Sequence, residues 1–216
     1  MPAQLSLFSV GVRPPAYADL EGLLAGPGRM ARREGASRLS LVLPRPDPWR
    51  VTALLAGLAE LGLAGETISD DLGLCLRTPF AQELTPLAER WTSGALTTAP
   101  PGLALDGPRL RWWCLAAGHA AAVGYVLLLG NDEVSWSRVG GALAAAGIPG
   151  TLVRARSRGG TQSAHGREAS RLESPAYRIV GARRLRRLAE LIGPAPDGAA
   201  VAEWPGAQRQ ASSPAQ

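Results

Sequence analysis

The alternation of apolar and polar positions along the chain predicts two copies of one series of elements. In each half a short apolar run (39–43 and 125–129) leads through a polar turn into an amphipathic helix that ends at glycine, Gly62 or Gly147. Another strand and a further amphipathic stretch follow in both halves, and these closing segments align without a gap, Arg77 with Arg178. The repeated order of strand, helix, strand pair and helix predicts an α+β protein duplicated at a period of roughly 90 residues.

A helix-like stretch precedes each unit, at residues 18–30 and 108–120. Large apolar residues give way to small ones in both, Leu-Leu-Ala-Gly at 23–26 and Leu-Ala-Ala-Gly at 115–118. Small residues let two helix backbones approach closely, so we expect these helices to face each other across a pseudo-two-fold axis. Pro27 is expected to end the first helix early.

This order, with Leu-Ala-Gly helices facing each other, resembles the two-repeat LAGLIDADG domain of homing endonucleases over about residues 17–193. In that family each signature helix ends with a carboxylate that holds a divalent metal, and the concave sheet face lies on DNA. Counting from the small residues, the acidic positions fall at Ala31 and Val123, and neither 22–33 nor 107–131 contains Asp or Glu. The resemblance therefore implies a fold that has kept its shape and lost its nuclease, with no catalytic residue, metal or cofactor.

The basic residues are unevenly distributed. All 23 are arginine, which favours a GC-rich genome of the actinobacterial kind, and residues 151–193 contain ten arginines against three acidic residues. Such clustering is typical of a protein that binds a polyanion. Arg154, Arg156 and Arg158 alternate along a predicted strand, which places them on one sheet face. The predicted DNA contacts are Arg154, Arg156, Arg158, Arg178, Arg183, Arg184, Arg186 and Arg187, although the last four are equally typical of a solvated helix face.

The N-terminal string Gln4-Leu5-Ser6-Leu7-Phe8 matches, at all five positions, the peptide by which bacterial replication and repair proteins dock into the DNA sliding clamp. Leu7 and Phe8 would fill an apolar pocket while the Gln4 amide reaches polar groups at its rim. The Arg-Pro-Pro that follows at 13–15 suits a flexible leash. A docked N-terminal edge strand is the alternative, since the same residues also alternate.

The remaining features bound the organisation of the chain. Cys75 and Cys114 are too few for a disulfide framework, and neither His119 nor His165 has metal-ligand spacing to a cysteine. No signal peptide or apolar run of membrane-spanning length is found, so a cytoplasmic, nucleoid-associated monomer is expected. The predicted divisions are a clamp peptide and linker (1–15), a first repeat (16–100), a second repeat (101–193) with a disordered insertion (about 157–174), and a disordered tail (194–216).

Together these observations predict a non-enzymatic accessory protein of replication or repair that docks on the clamp and contacts DNA. One alternative is an active metal-dependent endonuclease of the LAGLIDADG type whose carboxylates come from other positions, such as Glu21, Asp132 or Glu133. A second alternative is a regulator that occupies the clamp pocket and does not bind DNA.

Overall fold

The computed structural model describes residues 13–71, 73–94, 96–154, 174–200 and 203–205. The first repeat contains a 3-10 turn (Tyr17–Leu20), α1 (Glu21–Ala25), β1 (Arg29–Arg33), β2 (Ala36–Val42), α2 (Pro48–Glu60), β3 (Glu66–Asp70), β4 (Gly73–Arg77), a 3-10 turn (Gln82–Leu84) and α3 (Thr85–Trp91). The second repeat follows a short pair of strands, β5 (Thr92–Ser93) and β6 (Leu96–Thr97). It contains α4 (Gly107–Ala117), β7 (Gly118–Ala120), β8 (Tyr125–Leu128), α5 (Glu133–Ala145), β9 (Thr151–Val153), β10 (Ala176–Ile179) and α6 (Ala182–Ile192).

The two repeats have the same sheet topology. The first sheet has the strand order β1-β2-β4-β3 and the second has β7-β8-β10-β9, with every neighbouring pair antiparallel. The predicted α+β fold with its duplicated helix–strands–helix–strands–helix order is therefore confirmed. Gly62 and Gly147 lie just beyond α2 and α5 with φ of 73° and 80°, a left-handed conformation that ends each helix where the pattern predicted.

The helices α1 and α4 pack against each other at the centre of the molecule. They approach closely at Gly22, where no side chain fits because a Cβ would lie 1.8 Å from the backbone oxygen of Arg109. Gly26 similarly faces the Trp113 ring, at 2.9 Å from the position of a Cβ. Gly26, just after the end of α1, belongs to the small residues predicted to allow this approach, whereas Gly22, four residues earlier, was not among them.

Apolar side chains of both repeats form one continuous core. The inward strand positions Leu39, Leu41 and Leu76 are at most 1% exposed, and Trp113 of α4 is fully buried with its indole nitrogen donating to the Leu128 carbonyl at 2.8 Å. The second sheet is tied to α5 by the Tyr177 hydroxyl, which donates to the Trp136 carbonyl at 2.7 Å. These contacts fix which face of each sheet lies against the helices. No helix in the described part of the chain is long and apolar enough to cross a membrane.

The chain after α6 differs from the predicted disordered tail over residues 194–200 and 203–205. Trp204 is 3% exposed, donates to the Gly193 carbonyl at 3.0 Å and packs edge-on against Trp49, with the ring centroids 6.4 Å apart. The Arg111 guanidinium lies 5.3 Å from the centre of the Trp204 ring. In the sequence this tryptophan stands in a stretch rich in proline, alanine and glycine, a composition typical of a disordered tail. Its contact with Trp49 forms only in the folded protein and could not be predicted from that composition.

Candidate nucleic-acid interface

A tight hairpin turn presents arginines on the edge strand of the first sheet. Glu34 and Gly35 join β1 to β2, and both have positive φ, 47° and 78°. Two consecutive left-handed residues are typical of a two-residue hairpin turn, which pairs Arg33 directly with Ala36. The sequence predicted that Pro27 ends the first helix, but it did not predict the strand that follows at Arg29–Arg33. The signal for it was the stop at Pro27-Gly28 followed by the alternation of Arg29, Ala31 and Arg33.

The register of the strands defines a basic face on the first sheet. Residues paired across antiparallel strands share a face, and one such row crosses all four strands through Arg29, Ser40, Arg77 and Glu66. We call the side of the sheet that points away from the buried leucines the first-sheet outer face. Its arginines are Arg29, Arg33, Arg38 and Arg77.

Two of these arginines are held in place by neighbours. The Arg77 Nε donates to the Glu66 carboxylate at 2.6 Å, and the Arg38 guanidinium lies 4.7 Å from the centre of the Phe80 ring. Arg29 and Arg33 are exposed and make no ion pair within the described residues. Strands are spaced by about 4.8 Å, so Arg29 on β1 and Arg77 on β4 project roughly 10 Å apart.

The equivalent row on the second sheet has a different character. It runs through His119, Val126, Arg178 and Thr151. Val126 is 1% exposed where the first sheet has the half-buried Ser40, and the Arg178 Nε is buried without a hydrogen-bond partner in the described structure. Burial lowers the pKa of His119, with a further decrease from Arg45 and Arg50, so its imidazole is neutral at pH 7. Arg178 is thus the permanent cation that this row supplies.

The structure does not bring the other predicted arginines onto this face. Arg154 follows β9, and its guanidinium lies 5.8 Å from the centre of the Trp136 ring of α5, on the side of the sheet that carries the helices. The expectation that Arg154 faces outward is therefore wrong, because the outward positions of β9 are Thr151 and Val153. Arg156, Arg158 and the peptide Gln4–Phe8 lie outside the described residues. Four further predicted arginines are exposed on α6, a helix outside both sheets: Arg183, Arg184, Arg186 and Arg187.

Comparison with solved structures identifies the architecture. The chain is similar to the homing endonuclease I-WcaI bound to its DNA recognition sequence, with a TM-score of 0.55 and 10% identity over 83% of this chain and 82% of that one. It is similar to the N-terminal LAGLIDADG domain of DUF199/WhiA, with a TM-score of 0.53 and 14% identity over 89% and 87% of the two chains. Full-length DUF199/WhiA from Thermatoga maritima matches with a TM-score of 0.53 and 14% identity, over 86% of this chain and 57% of that one. The fold is LAGLIDADG-like.

Sequence comparison alone does not reach this result. No protein-family model matches the sequence, and no curated protein matches it. At identities of 10–14% the LAGLIDADG-like shape is what the chains share.

The signature helices of this LAGLIDADG-like fold end earlier than the sequence count predicted. α1 ends at Ala25 and α4 at Ala117, whereas Ala31 lies within β1 and Val123 in the turn between β7 and β8. Assigning Ala31 and Val123 to the helix ends was therefore wrong. The residues that follow Ala25 are Gly26 and Pro27, and the residue that follows Ala117 is Gly118. None of these side chains has an oxygen that could bind a divalent metal.

A buried arginine occupies the end of α4 instead. Arg50, from the first turn of α2, is 0% exposed and donates to the carbonyl oxygens of Cys114 (3.1 Å), Leu115 (3.0 Å) and Gly118 (2.7 Å). Its guanidinium also pairs with Asp47 and Glu203, each at 3.0 Å. A cation at this helix end complements the partial negative charge of the carbonyls and uses the oxygens that face it. A guanidinium cannot act as a ligand of a cation, so the side chains at this helix end do not fit the divalent metal that the LAGLIDADG resemblance implies.

The alternative carboxylates are also engaged elsewhere. Glu21 is 1% exposed and pairs with Arg109 at 2.7 Å and Arg90 at 3.1 Å. Asp132 begins α5 and accepts from the Ser135 hydroxyl at 2.6 Å, and Glu133 is exposed in the next position. Within the described ranges no group of three or more His, Cys, Asp and Glu side chains is arranged to hold a metal ion.

Proposed function

We propose that this protein binds double-stranded DNA through the first-sheet outer face and does not cleave it. The observation that supports this most directly is the register that places Arg29, Arg33, Arg38 and Arg77 on one open sheet face. Arginine on such a face contacts phosphates and contributes affinity that depends on salt and little on base sequence. The solved homing endonuclease of similar fold is bound to its DNA recognition sequence.

Arg178 and, outside the described residues, Arg156 and Arg158 are further proposed phosphate contacts. Arg178 corresponds to Arg77 in the alignment of the repeats and occupies the equivalent row of the second sheet. The equivalent row of the second sheet carries fewer arginines than the first-sheet outer face, so we expect the first repeat to contribute most of the affinity for DNA.

The test of the DNA face is a charge-removing double variant, Arg29→Gln with Arg33→Gln, measured by fluorescence anisotropy on duplexes of several sequences. Affinity should fall to a similar extent for all sequences, and the slope of log affinity against log salt should flatten by about two, one per contact. Arg32→Gln is the matched control, because Arg32 lies on the same strand but points to the other side, 3.5 Å from Glu89. An unchanged salt slope in the double variant would remove β1 from the DNA face.

The absence of cleavage is tested with supercoiled plasmid and Mg²⁺ or Mn²⁺. The purified protein should leave the plasmid intact, since an arginine and residues without side-chain oxygens stand at the helix ends. Steady cleavage that is abolished by replacing a single carboxylate, Glu133 for example, would favour the endonuclease alternative.

A clamp-docking role for Gln4–Phe8 completes the proposal. Arg13, the first described residue, pairs with Asp19 and, at 3.2 Å, with Asp106, so the chain enters the folded body at the N-terminal ends of α1 and α4. The other ends of these helices lead into β1 and β7. With about 1.5 Å of rise per residue, the 11-residue α4 separates the two ends by roughly 16 Å. Tethering through the peptide would raise the local concentration of a weak DNA binder at the clamp.

The clamp proposal is tested with Leu7→Ala and Phe8→Ala together. Binding to purified bacterial sliding clamp should be lost while the melting temperature stays unchanged. In a buried edge strand the same truncations would cost about 2–5 kcal/mol each and lower the melting temperature by roughly ten degrees or more. Retained clamp binding with lost stability would assign these residues to the fold. Clamp binding by a wild-type protein that does not bind DNA would favour the regulator alternative.

A further inference from the structure

A large open groove runs along the N-terminal half of α6. It encloses about 970 Å³ between the first two turns of the helix and the loop that joins α5 to β9. Gly147 and Pro149 of that loop line it, together with Val180 and Gly181 at the end of β10. The groove is open to solvent.

Four arginines line this groove, Arg183, Arg184, Arg186 and Arg187. Glu190 is the acidic residue in the lining, and it lies 3.9 Å from Arg187. The other three guanidinium groups make no ion pair within the described part of the chain. Like charges spaced this closely on one helix destabilise it by mutual repulsion, and a bound polyanion would relieve that repulsion.

The backbone adds to the positive potential. Gly181 precedes the helix with φ of 97° and has no side chain to accept a hydrogen bond from the first-turn N–H groups. Gly181 and Ala182, at the positive end of the helix dipole, line the same groove as the arginines. The lining includes no aromatic residue and, besides Val180, no large aliphatic one that could anchor a base or a peptide side chain. The chemistry is that of a site for phosphate groups.

This groove is separate from the first-sheet outer face. Leu188 and Ile192 bury the opposite side of α6 against α4, and Arg111 of α4 donates to the Ile192 carbonyl at 2.7 Å. The groove therefore belongs to the second repeat and lies on the side of α6 that faces away from α4. From this geometry we infer that the α6 groove is a second DNA-binding surface, so that one molecule holds two DNA segments together. The inference rests on the proposed DNA binding by the first repeat.

The experiment is duplex bridging. A biotinylated duplex on beads is incubated with the protein and with a second, fluorescent duplex of the same sequence, and the captured fluorescence is measured at low salt. The wild-type protein should capture the second duplex. The variant Arg183→Gln/Arg184→Gln/Arg186→Gln should lower capture at least tenfold while still binding a single duplex through the first sheet. Its melting temperature should not fall, because all three side chains are exposed and their removal relieves the repulsion between like charges.

Two further variants and a mass measurement make the outcome decisive. Glu190→Gln removes the acidic residue from the groove and should increase capture, a gain that a folding defect cannot produce, whereas Arg32→Gln should leave capture unchanged. Light scattering must show the mass of a monomer for both the wild type and the triple variant under the capture conditions, because a dimer could bridge two duplexes with one DNA-binding surface per subunit.

The failures of the two proposals are distinguishable. If the wild type binds no duplex at all, the proposed DNA binding fails and this inference with it. If it binds one duplex but captures no second, or if the triple variant captures as well as the wild type, only the second surface is refuted. Binding of labelled polyglutamate that depends on the α6 arginines, without capture of a second duplex, would assign the groove to an acidic protein and would also overturn the inference.

Discussion

Arg50 joins the two repeats, and its replacement by methionine is the most informative perturbation of the fold. Its guanidinium is fully buried and donates to three carbonyl oxygens at the end of α4, at 2.7–3.1 Å, while pairing with Asp47 and Glu203 at 3.0 Å. Methionine retains most of the stem volume but leaves these acceptors without a donor. The loss of stability in this variant therefore reports the polar interactions of the guanidinium rather than the packing of the side chain.

The expected magnitude follows from these contacts. Removing one partner of a buried charged network costs about 3–5 kcal/mol, because desolvated oxygens are left unpaired. Asp47 retains some water contact, with 41% of its side chain exposed, which favours the lower part of that range. For a chain of this size each kcal/mol lowers the melting temperature by about 2–4 °C, so a decrease of roughly 6–20 °C is expected.

The assay is thermal unfolding followed by circular dichroism, with Arg32→Met as the control. Arg32 and its partner Glu89 are both more than half exposed, and their pair lies at 3.5 Å, so that variant should lose less than about 1 kcal/mol. If Arg50→Met unfolds within about 3 °C of the control, the guanidinium does not stabilise the end of α4, and the role assigned to it at this helix end is wrong.

Three other predictions concern packing and titration. Gly22→Ala should destabilise the protein by about 1–3 kcal/mol or more, because its methyl group would overlap the backbone of α4. Gly141→Ala, in open space on α5, should instead stabilise the protein by about 0.5–1 kcal/mol. Urea unfolding of both variants measures the two changes in the free energy of unfolding. Burial lowers the pKa of His119, so the unfolded chain binds a proton more readily than the folded protein. The stability of the wild type should therefore fall as the pH drops through about 6.5. Melting curves from about pH 7.5 to 5.5 should show a flatter pH dependence for His119→Asn. Burial raises the pKa of Cys114 to about 12, so a thiol reagent at about pH 8 should label only Cys75 in the native protein, and rapid labelling of Cys114 would contradict its placement in the core.

The two repeats share a topology but not a surface. Ser40 of the first sheet lies half-buried among arginines, whereas Val126 in the equivalent position of the second sheet is buried. In the second repeat the exposed arginines lie on α6 instead. A duplication that began with two equivalent faces would in this way come to present two different basic surfaces, one on a sheet and one on a helix.

The sequence by itself determined the order of elements and the duplication. Apolar periodicity distinguishes a strand from a helix locally, and glycines such as Gly62 and Gly147 end helices through their own backbone freedom, so neither inference needs a distant contact. The α+β architecture and its similarity to LAGLIDADG domains followed from that order. The loss of acidic residues near the signature helices could also be read from the sequence, even though the helix ends were misplaced.

Only the tertiary structure decided which arginines share a face. Arg29 and Arg77 are far apart in the chain and come to share a face through the register of three strands, β1, β2 and β4, which depends on a two-residue turn and on the burial of the opposite side. Arg50 looks like any helix-surface arginine in the sequence, and its burial arises because the end of α4 packs against α2 across the repeats. Arg154 lies on the helix side because Leu152, two residues before it, pairs with Tyr177, whose side chain faces α5. Pairing register and helix packing are set by long-range burial, and no local pattern of residues specifies them.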